Sequence, residues 1–470
     1  MFGLSTRRSA VARSKCLSST INRATTQQHP ALSPSLLASR DFHTSRADAA
    51  HPPPTWLPMR VKTPWIEALT KSREAAQSGQ AGAPYTSGKP DLTPKRMSDS
   101  YYKAILPLAQ DKWLLDTYLN ASGHIRLGSL LMDLDALAGV IAYRHTGDHV
   151  TTVTAAVDRI TIEHPLMEIC DLELSGQVTY ATGRSSMEVS LQVAKAPPAG
   201  EEAKPEDVLI TCAFTMVSLD PATKKPVPIA PLLVETAEER LLYKKGEENS
   251  RAKKALRTRS LLEKAPNERE SNLIHSMWTK EMSYLNPSSP AVRPSNTISM
   301  SDSVLKSAMI MQPQDRNRHN FMIFGGFLLK QTFELAFCCA ASASHARPNF
   351  VSLDPSTFEN SVPVGSVLYL RATVAYTEPL EIGGGQYTKV RVRVDTKVRD
   401  VAHGSKKPTG MFNYTFLVEK DVQVMPRTYS EFMVWTDARR RSENAAAMAL
   451  ALGAAKEPSA LRGLRDSVTE

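Results

Sequence analysis

Apolar positions follow two rhythms along this chain, and they occur in the same order in two stretches about 200 residues apart. In the first stretch an apolar run predicts a helix over residues 128 to 143. Alternating, β-branched segments follow at 151 to 162, 171 to 181, 185 to 195 and 208 to 219. In the second, an apolar run over 321 to 343 precedes similar segments at 350 to 358, 367 to 377, 387 to 398 and 410 to 419, with a turn expected at 380 to 386. Helical periodicity marks the first element and period-two alternation marks half-buried strands. A helix apolar nearly all round must be covered on every side. Each stretch therefore predicts an α+β domain in which an antiparallel sheet wraps one long central helix.

Shared landmarks show that the two stretches are copies. Met97-Ser98-Asp99-Ser100 returns as Met300-Ser301-Asp302-Ser303. Thr179-Tyr180 is echoed by Ala375-Tyr376, and Phe214-Thr215-Met216-Val217 by Tyr414-Thr415-Phe416-Leu417, at nearly the same offset. A repeat of this kind means tandem copies of one unit. Copies of a unit that pairs with itself can form a dimer within one chain, which places function at the seam. The expected boundaries are 96 to 230 and 297 to 425 for the copies. A charged helical linker fills 231 to 296, and its Glu and Lys/Arg residues are interspersed as on a solvated helix. Residues 426 to 470 form an Ala-rich tail, helical or disordered, and 43 to 95 an irregular arm with one short helix near 64 to 77.

Charge changes the picture mainly at the start. Residues 1 to 42 carry Arg7, Arg8, Arg13, Lys15, Arg23 and Arg40 against one acid, Asp41, and are dense in Ser and Thr. This is the composition of a mitochondrial presequence, and cleavage is expected near Phe42. Without that segment the net charge falls from +9 to +4. The basic balance is thus an address, weak grounds for nucleic-acid binding. The five cysteines have no metal-type spacing, and no cofactor or metal is expected. Lys330, Gln331 and Glu334 interrupt the longest apolar run, so it predicts a buried helix and no membrane span.

Candidate chemistry gathers around the helix starts. The loop 313 to 320 leads into Gly325-Gly326, and glycines there allow close approach to the unpaired N–H groups of a helix N-terminus. Such a terminus can polarise a carbonyl. Asn317, His319 and Asn320 add side chains able to orient a carbonyl or a water. Asp135 and Glu334 lie about two turns into their apolar helices, where an unpaired carboxylate is expensive and is paired, neutralised or kept for chemistry. Asp133 is expected to be a purely structural acid.

With Met97 to Ser100, 120 to 139, 185 to 189, 313 to 334, 347 to 351, Asp354 and 362 to 365 in view, both halves resemble hotdog-fold acyl-CoA thioesterases, specifically the mitochondrial double-hotdog type. The resemblance implies hydrolysis of acyl-CoA to fatty acid and CoA without a metal, at sites between two hotdogs. It implies one site combining Asn317, Asn320 and Gly326 with Asp135, and a reciprocal one combining Asn120 and Gly128 with Glu334. Ser129 departs from the Gly-Gly pattern in the reciprocal site, which favours the first. The carbonyl is expected at the N–H groups around Gly326 and Phe327, beside Gly325, with Asp135 activating water or attacking directly. Arg144, His145, Arg316, Arg318, Arg347 and His319 are candidate contacts for the substrate's polar end, and Phe333, Phe337 and Leu137 are candidate limits on acyl length. A matrix location and further homo-oligomerisation are also expected. A non-catalytic hotdog scaffold and a hydroxyacyl-thioester dehydratase using His319 remain open alternatives.

Overall fold

The computed structural model of the protein describes residues 91 to 451, except 148, 165 to 167, 199, 200, 202, 259, 260, 262, 263, 318 to 321 and 383. The expected presequence, nearly all of the arm with its short helix, and the end of the tail lie outside the described residues.

In the first half, β1 (Tyr102–Leu106), β2 (Thr151–Val157), β3 (Ile160–Ile162), β4 (Leu172–Ala181), β5 (Ser186–Lys195) and β6 (Val208–Leu219) accompany helix α1 (Leu127–Thr146). In the second half, β7 (Leu305–Ile310), β8 (Asn349–Leu353), β9 (Ser356–Thr357), β10 (Val367–Ile382), β11 (Gly385–Arg399) and β12 (Lys406–Val418) accompany helix α4 (Gly325–Ser344). The expected single strands at 151 to 162 and 350 to 358 each break in two. The expected turn at 380 to 386 is instead largely strand, because β10 and β11 run on as one long hairpin past Leu380.

Each central helix lies on its own sheet. Helix α1 packs on β2, β4, β5 and β6, and α4 on β7, β10, β11 and β12. Leu131, Leu134 and Ile141 of α1, and Leu329, Ala336 and Cys339 of α4, are fully buried in one core with both sheets. Among the described residues the sheets of the two halves are continuous, twelve antiparallel strands in the order β7-β10-β11-β12-β8-β3-β6-β5-β4-β1, with β2 and β9 paired beside that path. The halves meet edge to edge where Ser352 pairs with Thr161 and Ser356 with Val157. Asp354 braces that joint, accepting from Arg159 of the first half at 3.2 Å and from Arg391 of its own half at 3.3 Å.

The repeated Met-Ser-Asp-Ser motif is a structural device. Each copy forms one helical turn, and its last serine is buried. Ser100 Oγ accepts the Val178 N–H at 2.9 Å, and Ser303 Oγ accepts the Val374 N–H at 3.0 Å. Those N–H groups sit at the β-bulges of β4 and β10, where the ladder between strands is interrupted. A side chain that supplies the missing acceptor satisfies a buried donor at a break in register that both halves share.

The helices outside the two cores are also docked. Helix α2 (Ala237–Thr258) was expected to be solvated, yet it lies on the first sheet. Tyr243 meets Tyr180 at 4.9 Å between ring centroids, and Gly246 comes so close to Tyr180 that a Cβ there would sit 2.5 Å from its side chain. Lys253 reaches Asp158 Oδ2 at 2.7 Å, Glu188 Oε2 at 3.6 Å and Thr215 Oγ1 at 2.5 Å. Burial raises the pKa of both acids, that of Glu188 to about 7. Helix α3 (Glu268–Leu285) follows, started by an Asn267–Glu270 capping box. Helix α5 (Tyr429–Ala451) lies against β10 of the second sheet, where Trp435 packs edge-on to Tyr376 at 5.4 Å. Tyr180 and Tyr376 occupy equivalent bulge positions, so each sheet carries a helix against the same residue.

Candidate active site at the helix seam

The two central helices touch, and the contact needs a glycine. A Cβ on Gly326 would lie 2.7 Å from the Met132 carbonyl oxygen and 2.9 Å from Met132 Cα, backbone atoms that cannot swing away. This close approach brings the first turn of α4 against the second turn of α1. Asp135, fully buried, accepts the Gly326 N–H through Oδ2 at 2.6 Å and the Thr154 hydroxyl through Oδ1 at 2.7 Å. Burial pushes its pKa up to about 6, and the two donors limit the rise. Thr154 of β2 has no signal in the sequence that would single it out from the other β-branched positions of its strand.

A cavity of about 920 Å³ opens onto Asp135. Asn317, Met322, Phe324 and Gly325 of the second half face Asp135, Gly139, Val140 and Thr154 of the first across it. Arg144, Lys224 and Arg316 also line it. Asn317 Oδ1 and Arg316 Nε are buried and have no hydrogen-bond partner among the described residues. Of the residues expected in this seam, Asp135, Asn317, Gly325 and Gly326 come together. Arg318, His319 and Asn320 lie outside the described residues.

The donors differ from expectation. The Gly326 N–H is committed to Asp135, and the Phe327 N–H bonds the Phe324 carbonyl at 3.2 Å, so neither is aimed at a bound carbonyl. Gly325 is the first residue of α4, so its N–H has no acceptor within the helix. It lines the cavity, and its Cα lies so close to the acid that a Cβ would be 3.0 Å from Asp135 Oδ2.

The reciprocal seam is built otherwise. Both central helices have 20 residues; Asp135 is the ninth of α1, whereas Glu334 is the tenth of α4. The residue in register with Asp135 is Phe333, which packs in an aromatic cluster with Phe350, Tyr414 and Phe416. One residue turns a helix by about 100°, so Glu334 points away from that position. It does approach Gly128, whose added Cβ would lie 3.3 Å from Glu334 Oε1. There Arg126 takes the carboxylate, donating from Nε at 2.9 Å and from Nη2 at 2.5 Å. Arg126 is the cap of α1, and its counterpart at α4 is the apolar Phe324. Ser129 is buried, with its N–H on the Arg126 carbonyl at 3.0 Å. Asn120 is occupied as well: Oδ1 accepts from the Ser122 and His124 N–H groups and from Arg347 at 3.4 Å.

Several other expected roles move. His145 is buried with Nε2 2.8 Å from the Ala230 carbonyl, out of reach of a ligand. Leu137, Phe333 and Phe337 belong to the core and do not line the cavity. Arg144 lines the cavity and lies over the Tyr102 ring at 5.8 Å. Asp133 is buried, takes the Tyr118 hydroxyl, and is raised to about 7 by burial. No helix among the described residues is long and apolar enough to cross a membrane, and no group of metal-ligating side chains gathers among them.

No family model matches the chain. It is 36% identical over 361 residues to human acyl-coenzyme A thioesterase 9, mitochondrial, covering 74% of this chain and 78% of that protein. It is 34% identical over 361 residues to mouse acyl-coenzyme A thioesterase 10, mitochondrial, with the same coverage of each. With acyl-coenzyme A thioesterase 2, chloroplastic, of Humulus lupulus it shares 32% identity over 346 residues, 72% of this chain and 77% of the relative.

Proposed function

The chain belongs to the acyl-coenzyme A thioesterase 9 family, and we propose that it is a mitochondrial acyl-CoA hydrolase working at the Asp135 seam of two hotdog domains paired within one chain. The observation that carries the assignment is the contact of Asp135 with the start of α4 on the wall of a large cavity. Thioester hydrolysis needs a donor for the carbonyl oxygen and a base for water, and both lie at this point. The Gly325 N–H receives the carbonyl oxygen as it gains negative charge, helped by the positive end of the α4 dipole. Asp135 removes the proton from the attacking water. A carboxylate has about four acceptor positions, so holding Gly326 and Thr154 leaves room for that water. Asn317 Oδ1, which has no hydrogen-bond partner among the described residues, orients it. Gly326 and Thr154 keep the base in place and keep its pKa near 6, so it is mostly ionised at neutral pH. Direct attack by Asp135 to form an anhydride uses the same contacts.

In this reading the Arg126–Glu334 seam is silent, because Arg126 holds the carboxylate that would have to act as the base. Arg144, Lys224 and Arg316 supply positive charge for the phosphates of CoA. Further self-association belongs to the same proposal. Ile310 on the edge strand β7 and Tyr369 on its neighbour β10 are exposed and offer an apolar surface for it.

The test is free-thiol release from saturated acyl-CoA of C2 to C18, with fatty acid and CoA quantified as products. Release in at least one chain-length range supports the assignment. Folded protein that releases no thiol from any of them overturns it.

A further inference from the structure

Gly139 has no structural reason to be glycine. It lies in the interior of the 20-residue helix α1. Glycine is the poorest helix former after proline, so its presence there calls for an explanation. Two ordinary ones fail. Its backbone is right-handed helix, not among the positive-φ glycines. Among the described residues nothing beyond its own helix backbone and chain neighbours packs on it either: a Cβ at 139 would meet no other atom within 4 Å, whereas one on Gly326 would strike backbone at 2.7 Å. Gly139 borders open space, and that space is the cavity that reaches Asp135. Asp135 is four residues earlier on the same face, about 6 Å along the helix axis. Val140, Val153, Met216 and Val217 line the same cavity.

We infer that Gly139 sets acyl-chain length: its missing side chain leaves the groove in which the substrate's hydrocarbon tail lies beyond the thioester. This rests on the hydrolase reading above. The space suits a hydrocarbon because Val140, Val153, Met216 and Val217 line it, and the hydroxyl of Tyr143, one turn past Gly139, is taken up by the Thr152 N–H at 3.0 Å. A branched four-carbon side chain at 139 would occupy the room of about three methylenes, each worth about fourfold in affinity.

The experiment compares kcat/KM for a C2 to C18 acyl-CoA series in wild type, Gly139→Ala and Gly139→Leu, with circular-dichroism melts to establish folding. The expected result is a change in the ratio of short-chain to long-chain kcat/KM of roughly fiftyfold toward short chains in Gly139→Leu. Gly139→Ala should move the ratio a few-fold in the same direction, and it serves as the informative variant if leucine disrupts folding. An unchanged ratio, whether the rates stay the same or fall equally at every length, overturns the inference and leaves the hydrolase reading standing. A wild type inactive on the whole series overturns the hydrolase reading, and this inference with it.

Discussion

Gly326 donates its backbone N–H to Asp135 Oδ2 across 2.6 Å, tying the first turn of one central helix to the second turn of the other. That bond exists because position 326 has no Cβ and the helices can approach until Met132 and Gly326 are in backbone contact. It makes the base of the proposed reaction depend on both halves of the chain.

The two glycines should therefore respond differently to alanine. At Gly326 the added carbon meets backbone, so the helices must separate; Gly326→Ala should cost about 1–3 kcal/mol in stability as well as activity. At Gly325 the nearest atoms are the side chains of Asp135 and Thr154 at 3.0 and 3.4 Å. Gly325→Ala should cost little stability but lower kcat on the order of a hundredfold by displacing the reacting groups. Denaturant melts and steady-state kinetics on both variants check the contrast.

The raised pKa of Asp135 predicts an acid limb. As pH falls through about 6 the base takes up a proton, so kcat/KM should drop tenfold per pH unit below that value. For stability the sign is opposite to that of an ion-paired acid. The folded state binds this proton more tightly than the unfolded state, so stability falls as pH rises from about 4 to about 6 and then levels off. Asp135→Asn should therefore be more stable than wild type at pH 7.5 by roughly 1–3 kcal/mol, and lose that advantage near pH 4. Melts at the two pH values, beside a pH–rate profile, measure both effects.

How much of this was legible in the sequence depended on what kind of signal each feature leaves. The two central helices and most strands were, because each carries a clear apolar rhythm. Asp135 was visible as an acid among apolar residues, and Gly325-Gly326 as a pair before a helix. Of the difference between the seams only Ser129 was visible, and its main basis was not. It turns on one residue of helical phase, ninth against tenth, and on Arg126, whose position before α1 looks like any other basic residue in a loop. The docking of α2 was hidden for a related reason. Its charged pattern suggests solvent, yet Lys253 turns inward to a pair of acids that come from two different strands, Asp158 beside β2 and Glu188 on β5.

Those acids give α2 a pH-dependent anchor. Lys253→Met would leave two buried carboxyl groups side by side without a cation. They can stay protonated at pH 5, but at pH 8 they must ionise against burial and each other. The destabilisation should grow from small at pH 5 to about 3 kcal/mol at pH 8, read from denaturant melts. A penalty that does not change with pH would assign Lys253 a packing role.

The Arg126–Glu334 pair is partly exposed, so its contribution is modest. A double-mutant cycle with Arg126→Ala and Glu334→Ala should give a coupling of about 0.5–1 kcal/mol in dilute buffer, reduced in 1 M salt.

In the proposed mechanism one seam works and the other does not. The most direct test is thiol release by Asp135→Asn and Glu334→Gln assayed side by side with wild type. The expected result is a fall of roughly 10²- to 10⁴-fold in kcat for Asp135→Asn, the range for loss of a general base, and a change of less than about threefold for Glu334→Gln. Loss of activity in Glu334→Gln with Asp135→Asn still active would contradict it and move catalysis to the seam held by Arg126.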